Sequence, residues 1–214
     1  MGRVSDARDR LIEAAIDLIY KHGYAGVSVD HLCEAAGVKK GSFYHFFKTK
    51  DELVLAALDT HWERRRPILD RLFSPTVAPL ERLRAYFDSV YARQLELKAR
   101  YGQFGGCFYS AVGMTSHDSP AIGERVRAIL ARYERYYESA LREAALDGIL
   151  RSQDVAPKAR SLFAYMEGVL QQARLNDDPA IVKALGKSAF AFLGIQGESR
   201  VRESRSKRKR AANS

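Results

Sequence analysis

Lys39, Lys40, Ser42, Tyr44 and His45 crowd one short segment, with Gly41 among them. Ammonium groups, hydroxyls and an imidazole at neighbouring positions suit contact with nucleic-acid phosphates and base edges. The segment opens a helical pattern. Phe43 and Phe47, four apart, face inward and leave the polar side chains outside. Two lysines at a helix start oppose its dipole, and neither can accept a hydrogen bond as a cap. A phosphate seated there would remove the conflict by accepting from amide N–H groups and ammoniums together. The alternative is that both lysines simply point into water.

The elements that must position this segment read clearly on both sides of it. Ser28 is placed to cap a helix whose Val29, Leu32, Cys33 and Ala36 share one face, so Cys33 reads as a small core residue. Gly37 ends that helix at a left-handed turn, and Val38 fills the gap before the next. The two helices and the tight turn form a helix-turn-helix. Upstream, a helix capped by Ser5 or Asp6 starts near Ala7, buries Leu11, Ile12, Ala15, Ile16, Leu18 and Ile19, and ends at Gly23. Downstream, Thr49 and Glu52 form a capping box for a helix from Lys50, which Pro67 should kink.

The rest of the chain repeats the helical period. One apolar face runs from Pro79 to about Arg100, a short helix covers CFYSAVGMTS, and a long one runs from Ser119-Pro120 to Gly148. Further helices run from Pro157 to about Asn176, and from Asp178-Pro179 to Gly194 or Gly197. The pattern predicts an all-α protein of about nine helices. Its parts are a DNA-binding unit over 1–50, a ligand-binding and dimerisation unit over 51–198, and a basic tail over 199–214.

Composition excludes several function classes. Of the net charge of +9, six charges sit in the tail, where seven Lys and Arg face one Glu. The bulk basicity therefore says little about the folded part; the tail is either an extra polyanion contact or a solvated end. Cys33 and Cys107 make neither a disulfide framework nor a metal quartet. The N-terminus lacks an apolar signal core and no run is long enough to span a membrane, so a cytoplasmic location is expected. His22, His31, His45, His61 and His117 lack metal-ligand spacing, Ser110 has no evident His and carboxylate companions, and no phosphate-binding loop occurs. No cofactor, metal or enzymatic activity is expected.

Residues 8 to 55 closely resemble the DNA-binding domain of TetR-family transcriptional regulators. The resemblance rests on Gly23, Ser28, Ala36-Gly37-Val38, Gly41-Ser42-Phe43-Tyr44-His45, Phe47, Lys48 and Lys50-Asp51-Glu52-Leu53. It implies a homodimer that binds an operator in double-stranded DNA and answers to a small-molecule inducer, in most cases as a repressor. By position, it implies that Ser28 and Tyr44 bind phosphate, that Lys40, Gly41 and Ser42 touch bases, and that Lys50 clamps the DNA backbone. His45 lies beside Tyr44, and Lys39 departs from the small residue common at its position.

GGCFYSAVGMTSHDSPAIGERV and YMEGVLQQARL are similar to the branch holding the N-ethylmaleimide-responsive and acrylate-responsive repressors. That resemblance makes Cys107 a candidate sensor of electrophiles or oxidants; the competing reading is a buried packing residue. Arg174 stands where the sensor's partner lysine would be, suited to lowering the thiol pKa or binding a carboxylate. Trp62, Tyr91, Phe104, Tyr133, Tyr137 and Met166 are the other candidate pocket residues. The dimer interface is expected along Leu162, Met166, Val169 and Ala173 together with Ile181, Leu185, Ala189 and Phe192.

Overall fold

Helical periodicity becomes ten helices in the computed structural model, which describes residues 2–151 and 154–195. They are α1 (Gly2–His22), α2 (Val29–Ala36), α3 (Lys40–Phe46), α4 (Lys50–Leu72), α5 (Pro79–Tyr101), α6 (Phe108–Gly113), α7 (Pro120–Leu146), α8 (Val155–Asn176), α9 (Pro179–Lys183) and α10 (Leu185–Phe192). No strand occurs among the described residues. The basic tail and the expected boundary at 198 lie outside them.

The first three helices close on Leu11, Ala15, Leu32 and Phe43, all fully buried. Gly37 adopts φ 61° and ψ 40°, a left-handed conformation that costs glycine little. Its N–H donates to Glu34 O, and Val38 N–H donates to Cys33 O at 2.9 Å, satisfying the last carbonyls of α2. At the start of α4, Thr49 Oγ1 accepts from Glu52 N–H at 3.1 Å. Glu52 returns its carboxylate to Lys48 N–H at 2.7 Å, one residue ahead of the cap. The capping signal thus orders the α3–α4 turn as well as the helix start.

Arg82, on α5, joins the α4–α5 connection to α7. Its side chain is 1% exposed. The guanidinium donates to both oxygens of Glu143 at 2.8 and 2.6 Å, and to the carbonyls of Val77 and Pro75 at 2.6 and 3.0 Å. Those hydrogen bonds hold the Glu143 carboxyl below its usual range. Around this tie Leu83, Phe87, Ile129, Tyr137, Leu141 and Leu162 fill the interior.

α4 contains Pro67 within a single helix. Three sequence expectations need correction. α1 begins at Gly2 rather than near Ala7, so Ser5 and Asp6 lie within the helix instead of capping it. The terminal helix is two: Ala184 (φ −79°, ψ −8°) interrupts the pattern between α9 and α10, while Val182, Leu185 and Ala189 all still enter the core. Lastly, Leu162, Met166, Ala173, Leu185 and Ala189 are buried within one subunit and cannot form a dimer face. Periodicity marks buried positions but does not say which neighbour buries them.

Arg82→Met should leave the Val77 and Pro75 carbonyls and Glu143 without their donor. Urea unfolding is expected to show a loss of about 2–4 kcal/mol; an unchanged midpoint would mean the tie contributes nothing net.

Candidate nucleic-acid interface and ligand cavity

On the α2–turn–α3 surface, Lys39, Lys40, Gly41, Tyr44 and His45 are exposed and Ser42 is half-buried. Tyr44 is 56% exposed, its ring edge-on against the buried Phe43. That contact fixes the ring while its hydroxyl faces outward. Ser28 Oγ accepts from His31 N–H at 3.2 Å, which leaves its own O–H to donate. Lys39 caps α3 with no side-chain bond. Lys40 Nζ sits 2.6 Å from Asp30, which holds its charge in place and raises its pKa. Lys50 Nζ donates to the carbonyls of Tyr24 and Val27 at 3.3 and 3.1 Å and lies 4.0 Å over the Tyr24 ring. It therefore fastens the α1–α2 connection to α4 and keeps one N–H in reserve.

A cavity of about 70 Å³ lies among α1, α4, α5, α6, α7 and α8. On a scale where one water needs roughly 10–15 Å³, it suits a molecule of only a few heavy atoms. Of the sequence candidates, Cys107, Tyr133 and Met166 line it. Trp62, Phe104 and Tyr137 are buried elsewhere in the core, and Tyr91 is half-buried outside the cavity. Arg174 donates to the carbonyls of Gly105 and Tyr20 at 3.0 and 3.5 Å, anchoring the α5–α6 loop to α1 rather than approaching the thiol.

Residues not foreseen supply most of the cavity's chemistry. Arg65 and Arg93 line it, and Arg65 makes no ion pair among the described residues. Buried Gln94 exchanges two 3.0 Å bonds with the backbone of Gly106, fixing the residue before Cys107. His61 is hydrogen-bonded at both nitrogens, 3.0 Å from Tyr20 Oη and 2.8 Å from Tyr109 Oη. Burial, reinforced by Arg65 and Arg93, pushes its pKa down to about 3, so the imidazole is neutral. Neutral imidazole offers one donor and one acceptor, one for each tyrosine. Tyr20 belongs to α1, so the reading unit itself contributes to the cavity wall.

The Cys107 thiol is not activated in this resting geometry. Burial and the Glu167 carboxylate push its pKa well up, the opposite of the shift expected from Arg174. Ser110 does have a carboxylate companion, since its hydroxyl donates to Glu167 Oε2. Only tertiary packing of α6 on α8 brings residues so far apart in sequence together. His61 cannot complete a triad there, since both its nitrogens are engaged. Among the described residues no His, Cys, Asp and Glu cluster has a metal-binding arrangement, and no helix is long and apolar enough to cross a membrane.

Two family models match the chain. One described as bacterial regulatory proteins, tetR family, covers residues 11–57, and one described as tetracyclin repressor-like, C-terminal domain, covers residues 79–188. The transcriptional regulator AcuR of Cereibacter sphaeroides is 33% identical over 81% of this chain and 78% of its own. The repressor NemR of Escherichia coli is 24% identical over 80% of this chain and 85% of its own. A crystal structure of a regulatory protein TetR from Rhodobacter sphaeroides superposes with a TM-score of 0.74 at 28% identity, covering 86% of this chain and 96% of that one.

The neutral His61 sets a pH dependence. Its folded pKa lies below the ordinary 6.5, so between 6.5 and about 3 the unfolded chain binds a proton that the folded chain refuses. Stability from this source is complete above 6.5 and falls as pH drops through that window. His61→Gln should flatten the slope of unfolding free energy between about pH 6.5 and 5, measured by urea titration. An equal slope in both proteins would show that His61 titrates normally.

Proposed function

The chain belongs to the TetR family of bacterial regulatory proteins, and from that premise we propose a specific switch: a cytoplasmic homodimer that grips a near-palindromic operator and releases it when a small molecule enters the cavity. Members of this family are ligand-responsive DNA-binding regulators, not enzymes, and the relatives carry regulator and repressor names. The division into a reading unit over 1–50 and a ligand and dimer unit over 51–198 goes with this reading. Its chief support is the shared wall. An occupant that displaces Tyr20, His61 or Tyr109 acts on α1 and α4 together, and these carry the recognition helix α3.

On DNA, Tyr44 and Ser28 donate hydroxyls to phosphates, while Lys40, Gly41 and Ser42 meet base edges. Lys40 must exchange Asp30 for its target, so free protein keeps the lysine aligned without leaving its charge alone. Lys39 and His45 flank this face, and Lys50 places its spare N–H beside the backbone.

Dimerisation uses what each subunit leaves uncovered on α8 and α10. Tyr165 and Phe192 stack at 5.2 Å, and Phe192 remains 49% exposed. Val169 is half-buried, and Leu175 is 69% exposed. A twofold axis through this apolar strip gives a four-helix contact and presents two α3 helices to successive major grooves.

The AcuR and NemR relatives, with Cys107 in the cavity wall, support membership of the electrophile-responsive branch and an inducer that reacts with or sits against this thiol.

Operator selection followed by binding assays tests the contact face. Tyr44→Phe should weaken binding to all sequences, whereas Lys40→Ala should also relax preference at one base pair by roughly 1–3 kcal/mol. Parent-like binding by both variants would refute the face. Phe192→Asp should shift sedimentation to the monomer and abolish operator binding; a retained dimer would place the interface elsewhere.

A further inference from the structure

Cys107 and Glu167 face each other across the cavity wall with unequal commitments. Glu167 Oε2 accepts from Ser110, while Oε1 is buried and has no hydrogen-bond partner among the described residues. Cys107 lines the same cavity, where the Glu167 charge helps to raise the thiol pKa. A buried carboxylate oxygen without a partner is costly, and it is an open proton acceptor. The Gln94–Gly106 clamp and the first turn of α6 hold the sulfur in register with it.

We propose that Glu167 is the base that activates Cys107 toward small α,β-unsaturated carbonyl compounds bound in the cavity, with Ser110 orienting the carboxylate. This rests on the reading of the cavity as the inducer site. In the step, the thiol proton passes to Glu167 as sulfur bonds to the β-carbon. The C=C π pair moves to the α-carbon and carbonyl oxygen as an enolate, which then takes a proton at the α-carbon from Glu167. Glu167 returns to carboxylate, and the net change is addition of S–H across the double bond. No oxidant or co-reactant is needed. The cavity volume restricts the compound to a few heavy atoms, and Arg65 and Arg93 on the same wall supply cationic donors for the enolate oxygen.

The arrangement also explains why a sensor would carry a thiol of raised pKa. Little thiolate forms at rest, so reagents in bulk solvent find a poor nucleophile. A bound electrophile meets a base already in place. Burial lifts the Glu167 carboxyl above its ordinary value, bringing its basicity nearer to that of a working base. Tyr20, His61, Arg65, Tyr86, Arg93, Tyr109 and Tyr133 are the other titratable groups facing this space, and His61 is neutral.

Full-length protein and acrylamide as the probe give a test with opposite signs for the two readings. Adduct formation at Cys107 is followed by peptide mass spectrometry across pH, which also separates it from Cys33. Glu167→Gln should slow alkylation by roughly tenfold or more at neutral pH and turn a flat rate profile into one rising with pH. If Glu167 merely repels the thiolate, its removal lifts that repulsion and alkylation speeds up, which overturns the proposal. An unchanged rate overturns it equally, as does failure of wild-type Cys107 to react. Ser110→Ala, which keeps the carboxylate, should give a smaller slowing and covers a poorly folded Glu167→Gln. Operator release is measured on the same samples. Alkylation with the predicted Glu167 dependence but no release would refute the inducer-site reading while leaving the proton transfer standing.

Discussion

One neutral imidazole holds the two working parts of this protein in register. His61 is buried on α4 and bonded to Tyr20 on α1 and Tyr109 on α6. An imidazole in such a place must spend both nitrogens on partners or incur the cost of burying them unpaired. The tyrosines meet that demand, and in doing so they fix the distance between the reading unit and the cavity. Arg174 and Gln103 add to the tie by donating to the backbone carbonyl of Tyr20. The end of α1 is therefore held by the α5–α6 loop and by α8 as well as by α4.

This makes transmission local. Between cavity and α1 there is no long path to invoke, because Tyr20 belongs to both. A ligand shifts the equilibrium only by binding one arrangement of these groups better than the other. The cavity is small and its polar groups are mostly mutually satisfied, so an occupant has to displace some of these bonds. The same economy appears at the DNA face, where Asp30 holds Lys40 in the free protein and Lys50 spends two N–H groups on loop carbonyls. On the contact face we propose, these charges are kept oriented by the exposed Asp30 carboxylate and by part-buried loop carbonyls, which a phosphate would have to replace.

The helix-turn-helix was legible because its determinants are local. Gly37 at the turn, Ser28 and Thr49 at caps, and Phe43 with Phe47 four apart each act over a few residues, and short-range backbone physics gives them one outcome. The cavity was only partly legible. Cys107, Tyr133 and Met166 do line it, but Trp62 and Tyr137 have the same apolar and aromatic character and went into solid core. Charged wall residues such as Arg65 and Arg93 carry no local pattern that marks them as lining a cavity.

Sequence alone determined most of the helical elements, the turn, the caps at Ser28 and Thr49 and the set of polar side chains on α3, since propensity, capping and the 3.6-residue period operate within one element. Tertiary structure decided everything that depends on which faces meet. It set Glu167 beside Cys107 and Ser110, gave His61 its two tyrosines, and buried five of the eight residues first assigned to the dimer interface. Burial and pairing between helices far apart in the chain set the protonation states there, and no local pattern carries that information.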